Sequence, residues 1–404
     1  MASHGISRTE YAASRSEAVQ EKERNKLTEY LALVEQTQQK RSAGDYSLSA
    51  LELTSKVLKL NPEFYTMWNY RRQILLRTRL LPFTAPEPPK DAPAAPEGQE
   101  DPAAVAGSLR AAYESRLALL LKEELEFLIP LLMSFPKCYW IWNHRLWALQ
   151  QCSMLLSPEK GTKFWQGELQ LVGMMLTRDM RNFHGWMYRR IVVSHIENPV
   201  GGEYSSLAKD ELEYTRRMVR GVGGMTNYSA WHQRSVLIPR LLEENGKDDQ
   251  ERMDCLEDEL QLLMSAIETD PDDQSLWFYY RWLVSARDKS SIAPKMPHLV
   301  RIAMVTDQVE WLKELLEAHP DCKYILKALV AYAQLLQALR KEPLNEGESE
   351  DDVEEVDEPA ENQQILGWLE TLERMDPMRK GRYRDQGKVI RANSEINNTI
   401  FLRG

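Results

Sequence analysis

Five tryptophans at a near-constant interval constrain this chain more than any other feature. Trp68, Trp142, Trp186, Trp231 and Trp277 open the strings WNYRR, WNHRL, WMYRR, WHQRS and WFYYR. The last three intervals are 44, 45 and 46 residues, a period of the longer helical repeats and well above the roughly 34 of tetratricopeptides. The first interval is 74. Its excess falls on residues 82–108, a Pro/Ala-rich stretch that reads as a disordered or extended insertion. A second feature stays in phase. Glu124, Glu168, Glu213 and Glu259 stand eighteen residues before their tryptophans, with Ala50 the exception, and Arg71, Arg145, Arg189 and Arg234 stand three after.

Each unit reads as a helical hairpin. Apolar residues at helical spacing mark the first helix, for example Leu256, Leu260, Leu263 and Ile267. A turn signal follows at Asn61-Pro62, Phe135-Pro136 and Asp270-Pro271. The second helix opens near the tryptophan and puts Trp and Arg on one face. One hairpin cannot bury its own apolar side, so hairpins must stack. The expected fold is all-α, a right-handed α–α superhelix, or curved solenoid, spanning 21–390. Residues 1–20 are expected as a flexible N-terminus, 343–360 as a solvated acidic loop and 391–404 as a tail. Residues 310–339 supply a further pair without the tryptophan, and 368–390 a helix, an Asp376-Pro377 turn and a basic helix.

The residues exclude several function classes. A net charge of −10 argues against nucleic acid as a partner. Four cysteines without a CxxC pair form neither a disulfide framework nor a zinc knuckle. No leader-like apolar segment and no run of about 18 apolar residues leave the expectation of a cytoplasmic protein. HExxH, GxxxxGK[ST] and GxSxG are all missing. Gly221-Val-Gly-Gly224 follows a basic helix rather than a strand, which argues against a phosphate cradle. No metal set is expected in this chain.

The repeated residues read first as structure. Trp68, Trp142, Trp186, Trp231 and Trp277 supply apolar bodies for the seams. A buried arginine needs a partner, and the phased glutamate on the preceding helix is the expected one, as a two-toothed contact. The fifth unit departs, with Tyr280 at the arginine position. The turns carry a different set. Tyr65, Tyr139, Phe183 and Tyr228 stand three residues before a tryptophan, beside Lys137, Arg181, Asn182, His184 and Asn227. Solenoid turns share one edge, so these side chains form either turn staples or a ribbon facing a partner.

The W-x-x-R units at this spacing resemble the repeats of protein prenyltransferase α subunits. The strings LELTSKVLKLNPEFYTMWNYRRQIL, RNFHGWMYRR, NYSAWHQRS, DPDDQSLWFYYRWL and DPMRKGRYRD are most similar to the Rab geranylgeranyltransferase branch, in its shorter fungal-type form. The resemblance implies a crescent of hairpins around a β subunit in an obligate heterodimer. It places the catalytic zinc in that β subunit, with geranylgeranyl diphosphate as co-substrate and Rab GTPases, brought by an escort protein, as acceptors. By the family pattern K-x-Y, Lys137 would contact the diphosphate, with Tyr139 lining the site nearby. Asn182 and His184, matching N-[YF]-H, and Tyr228 would face the same mouth as substrate contacts. Phe183 replaces the tyrosine often found there, so a hydroxyl contact is not carried over. Two alternatives stand beside this reading: the α subunit shared by farnesyltransferase and geranylgeranyltransferase type I, and a non-enzymatic helical-repeat scaffold.

Overall fold

The computed structural model describes residues 17–80, 102–344 and 356–401, and every regular element among them is helical. Two compact units divide the chain at residue 205. In the first, α1 (Glu17–Ser42) leads into three hairpins. These are α2 (Leu48–Leu60) with α3 (Tyr65–Leu75), α4 (Pro102–Ser134) with α5 (Tyr139–Leu155), and α6 (Pro158–Arg178) with α7 (Phe183–Glu197). The second unit holds α8 (Ala208–Arg220) with α9 (Tyr228–Glu244), and α10 (Asp249–Thr269) with α11 (Gln274–Ser285). Then come α12 (His298–Ala318) with α13 (Lys323–Arg340), and α14 (Glu358–Met375) with α15 (Lys380–Phe401). Among the described residues no helix is long and apolar enough to cross a membrane.

Several boundaries move from their expected places. Residues 102–108 belong to α4, because the alanines of PAAVAG are strong helix formers and Pro102 suits a first helical position. Helix α1 begins at Glu17, inside the expected flexible terminus, and α15 runs on to Phe401, through most of the expected tail. Helix α14 starts at Glu358, capped by Asp357, whose side chain accepts from Ala360 N. The rest of the Pro/Ala-rich and acidic segments, 81–101 and 345–355, lies outside the described residues.

The hairpin turns explain the period. Four-residue turns close with a backbone hydrogen bond from the fourth N–H to the first carbonyl. Examples are Phe64 to Asn61 (3.3 Å), Cys138 to Phe135 (3.0 Å), Asn182 to Asp179 (3.1 Å), Asp273 to Asp270 (3.3 Å) and Cys322 to His319 (3.1 Å). Each phased tryptophan then donates Nε1–H to the carbonyl six residues back: Pro62, Pro136, Met180, Met225 and Pro271, at 2.7–2.9 Å. The indole therefore does two jobs, filling the seam and satisfying a turn carbonyl that has no helical partner. The following hairpin often adds a second donor to that oxygen. Asn182 Nδ2 reaches Pro136 O at 3.1 Å, and Cys322 Sγ reaches Pro271 O at 3.2 Å.

The arginines point the other way from expectation. Arg71 grips Glu124 (Nε–Oε1 2.7 Å, Nη2–Oε2 2.6 Å), Arg145 grips Glu168, and Arg234 grips Glu259. Each bridge runs forward to the first helix of the next hairpin. The fork sits at a junction of three helices: Arg145 Nη1 still bonds Leu125 O of its own hairpin at 2.8 Å, while the other two nitrogens reach across. At the fifth hairpin the same forward contact is neutral, with Tyr280 donating to Gln308 Oε1 at 2.8 Å.

Glu213 is a second correction. It is 54% exposed and lies 3.5 Å from Arg216 on its own helix, whereas Glu211, twenty residues before Trp231, is buried. The turn from Gly221 to Asn227 is longer than the others and contains a 3-10 turn, which shifts the phase by two residues. Glycines make that turn possible. Gly223 takes φ +69°, and a Cβ on Gly224 would stand 2.1 Å from the Met218 carbonyl oxygen.

Candidate functional site

The turn edge separates side chains that hold the fold from side chains that face outward. Asn182 belongs to the first group. Its Oδ1 accepts from His184 N (3.1 Å) and Gly185 N (3.3 Å), capping α7, while Nδ2 donates to Pro136 O. Only 3% exposed, it spends its oxygen on the cap and its amide on the neighbouring turn, and it lies under the edge. Asn227 caps α9 in the same way, through Ala230 N.

One residue further on, the side chain turns outward. Tyr65, Tyr139, Phe183 and Tyr228 are all exposed. They meet aromatic groups of the next hairpin: Tyr65 lies 4.4 Å from Trp140 between ring centroids, and Tyr228 lies 5.6 Å from Phe278. Tyr139 packs edge-on against His184 at 4.1 Å and touches Phe183 at 6.3 Å. Each of these rings therefore packs against an adjacent hairpin and leaves a face to solvent.

Lys137 and His184 give the edge of the first unit its polarity. Lys137 is 72% exposed, and its Nζ lies 3.7 Å from Asp179 Oδ2 on the next turn. Such a loose, solvated pair is worth about 0–1 kcal/mol, so the ammonium can leave it for a stronger anion. His184 is buried beneath Tyr139. Burial, and then the Lys137 charge, holds its pKa below the ordinary value, which keeps the imidazole neutral near pH 7. The structure thus brings Lys137, Tyr139 and His184 together in the first unit. Tyr228 is exposed at the start of α9 in the second.

The geometry also names a participant that sequence reasoning missed. Asp179 ends α6 as its C-cap and restrains Lys137; its position in the turn before Asn182 was the available signal. Among the described residues the cysteines offer little chemistry of their own. Burial pushes the Cys138 and Cys255 thiols up to about 11 and Cys152 up to about 12, and raises Cys322. None is a ready thiolate. Among the described residues no three His, Cys, Asp or Glu side chains gather as a metal site.

Comparison with known proteins gives these features a family. The model described as the protein prenyltransferase alpha subunit repeat matches residues 47–78, 121–152, 165–196 and 256–287. The hairpin around Trp231, with the longer turn, falls outside those segments. Fungal chains named geranylgeranyl transferase type-2 subunit alpha are similar over nearly their full length. That of Saccharomyces cerevisiae is 31% identical over 94% of this chain and 97% of its own, and that of Schizosaccharomyces pombe 33% over 94% and 96%. The human chain of that name is 35% identical over 70% of this chain and 42% of its own. In fold, the chain is similar to a solved structure of Candida albicans protein geranylgeranyltransferase-I complexed with GGPP. The TM-score is 0.56 at 18% identity, covering 90% of this chain and 91% of that one. Repeats, spacing and near-complete alignment agree: this chain belongs to the protein prenyltransferase alpha subunits, among the geranylgeranyl transferase type-2 alpha chains.

Proposed function

We propose that this chain is the cytoplasmic α subunit of a heterodimeric Rab geranylgeranyltransferase. The observation that carries the reading is the kinship with fungal type-2 α chains over nearly the whole of both sequences. In this role the hairpins brace a β subunit. Among the described residues no three His, Cys, Asp or Glu side chains gather as a metal site, and the reading assigns the zinc to β. The acceptor is a Rab GTPase held by an escort protein, and the donor is geranylgeranyl diphosphate.

Lys137 is the residue of this chain that meets the donor. As the allylic carbon–oxygen bond breaks, negative charge gathers on the departing diphosphate, and a positioned ammonium stabilises that change more than the ground state. Its loose hold on Asp179 supports this role, since moving the ammonium to a phosphate sacrifices little. Tyr139 offers an exposed ring beside it, buttressed by His184.

The test is co-expression with candidate β subunits, followed by transfer of radiolabelled geranylgeranyl to Rab with and without escort protein. Transfer that needs both β and escort supports the reading. Prenylation of isolated C-terminal tetrapeptide substrates would identify the shared α subunit instead. Transfer by this chain alone, or by no combination, contradicts it.

A further inference from the structure

A cleft in the second unit has no part in the turn edge. It measures about 450 Å³ and is lined by Arg287, Pro294, Met296, His298, Arg301, Glu342 and Pro343, a volume within the range of small-molecule sites. Its floor is the first turn of α12, where His298 and Arg301 lie. Its wall is the loop between α11 and α12, whose Ser291, Ile292 and Ala293 are buried.

The charge balance of this cleft is unusual. Arg301 is only 5% exposed, yet among the described residues no carboxylate stands within ion-pair distance of it. Its guanidinium meets the carbonyls of Ala286 and Ala293 at 3.5 and 3.4 Å, both longer than an ordinary N–H···O bond. A cation in the first helical turn also opposes the helix dipole, and that turn contains no acidic residue. Burial, followed by the neighbouring Arg287 charge, holds the Arg301 pKa below its ordinary value. The carboxylate nearest to hand, Glu342, is engaged by Arg287 instead, in a two-toothed contact at 2.7 and 2.6 Å. A buried cation so weakly answered is costly unless an anion joins it.

We propose that this cleft binds a phosphate or phosphate monoester dianion, with Arg301 at its base and Arg287 released from Glu342 to close over it. Two negative charges suit two guanidiniums and a helix N-terminus better than one does. Glu342 then acts as the internal competitor that holds the site shut when the ligand is scarce. The proposal does not depend on the prenyl-transfer reading.

Calorimetric titration of the full chain, purified with its β subunit, tests it with inorganic phosphate, glycerol 3-phosphate and malonate as probes. Saturable binding of either phosphate is expected, and the tighter of the two identifies a free ion or an ester as the source. Loss of a charge-assisted contact in Arg287→Ala should weaken binding about tenfold or more. Glu342→Gln should tighten it by a similar factor. Both positions are half-exposed, at 44% and 38%, so the variants fold. Lys137→Ala should leave this binding unchanged. No saturable binding, equal affinity in wild type and Arg287→Ala, or loss only in Lys137→Ala would each overturn the proposal. Malonate bound as tightly as phosphate would overturn the ligand class.

Discussion

The guanidinium of Arg145 forms a two-toothed contact with Glu168 on the following hairpin, Nε to Oε1 at 2.8 Å and Nη2 to Oε2 at 2.5 Å. Tyr188, two residues after the next tryptophan, donates its hydroxyl to the same Oε1 at 2.8 Å. His144 does this for Glu124 and Tyr279 for Glu259. The glutamate is thus the shared acceptor of two successive second helices, and the pair welds hairpin to hairpin. All members are buried, so removing one leaves the other uncompensated. Glu168→Gln should cost about 3 kcal/mol of unfolding free energy, and Tyr188→Phe about 1 kcal/mol. In urea denaturation, Arg145→Met combined with Glu168→Gln should cost clearly less than the sum of the single changes. Simple additivity would show that the two groups are not coupled.

The direction of these bridges could not be read from spacing. Glu124 lies 21 residues before Arg145 and Glu168 lies 23 after it, so a strict period places a glutamate almost equally far on either side. The period itself, the hairpin breaks and the faces of Trp and Arg were legible, because burial imposes helical spacing on every unit. Glu213 misled for a local reason: around the longer glycine turn the buried position moves to Glu211, two residues further from its tryptophan, and phase is blind to an insertion between its markers. The contacts from Tyr188 and His144 back to the glutamate of their own hairpin were also hidden. His144, Tyr188 and Tyr279 stand two residues after their tryptophans, and only the glutamate each one meets makes the histidine and the tyrosines equivalent. At the edge, Lys137 and Tyr139 could be placed on a turn from sequence, but which turn residues face outward depends on backbone direction.

The buried His144 makes stability depend on pH. Its Nε2 lies 2.7 Å from Glu124 Oε1, and its Nδ1 accepts from Arg72 Nε at 3.2 Å. Burial holds the imidazole pKa down to about 4 despite Glu124, and Arg71 with His144 holds Glu124 at about 2 despite burial. The unfolded chain takes up the histidine proton near its ordinary 6.5, while the folded chain resists until about 4. Stability from this group is therefore complete above about pH 6.5 and falls between 6.5 and 4. The Glu124 contribution is complete above its ordinary 4.5 and falls toward about 2. Urea midpoints measured across pH should drop below 6.5, and His144→Gln should flatten the segment from 4 to 6.5. A wild-type midpoint level across that segment would refute the assignment.

Lys137→Ala separates chemistry from assembly. The side chain is exposed and its contact with Asp179 spans 3.7 Å, so stability should change by less than about 1 kcal/mol. Co-purification with the β subunit should be normal. The single-turnover rate of geranylgeranyl transfer should fall about a hundredfold or more, since one oriented charge on a departing anion is worth about 3 kcal/mol. Asp179→Asn offers the reverse case: it frees the ammonium and should leave that rate unchanged or modestly higher. A wild-type single-turnover rate in Lys137→Ala would remove the lysine from the site.

Asn182 provides the contrasting variant on the same edge. Its oxygen caps α7 and its amide ties the turn to Pro136. Asn182→Ala should therefore lower the unfolding free energy by about 1–2 kcal/mol through the cap and the lost bond. Asn182→Asp keeps the acceptor and loses the donor, so the cap survives while a carboxylate is brought against the Pro136 carbonyl oxygen. Its cost should exceed that of losing the Nδ2 bond alone, because that carboxylate is almost fully buried. In both variants, assayed well below the unfolding transition, the KM for geranylgeranyl diphosphate should stay at the wild-type value. A raised KM in Asn182→Ala with unaltered stability would instead place the side chain in contact with the substrate.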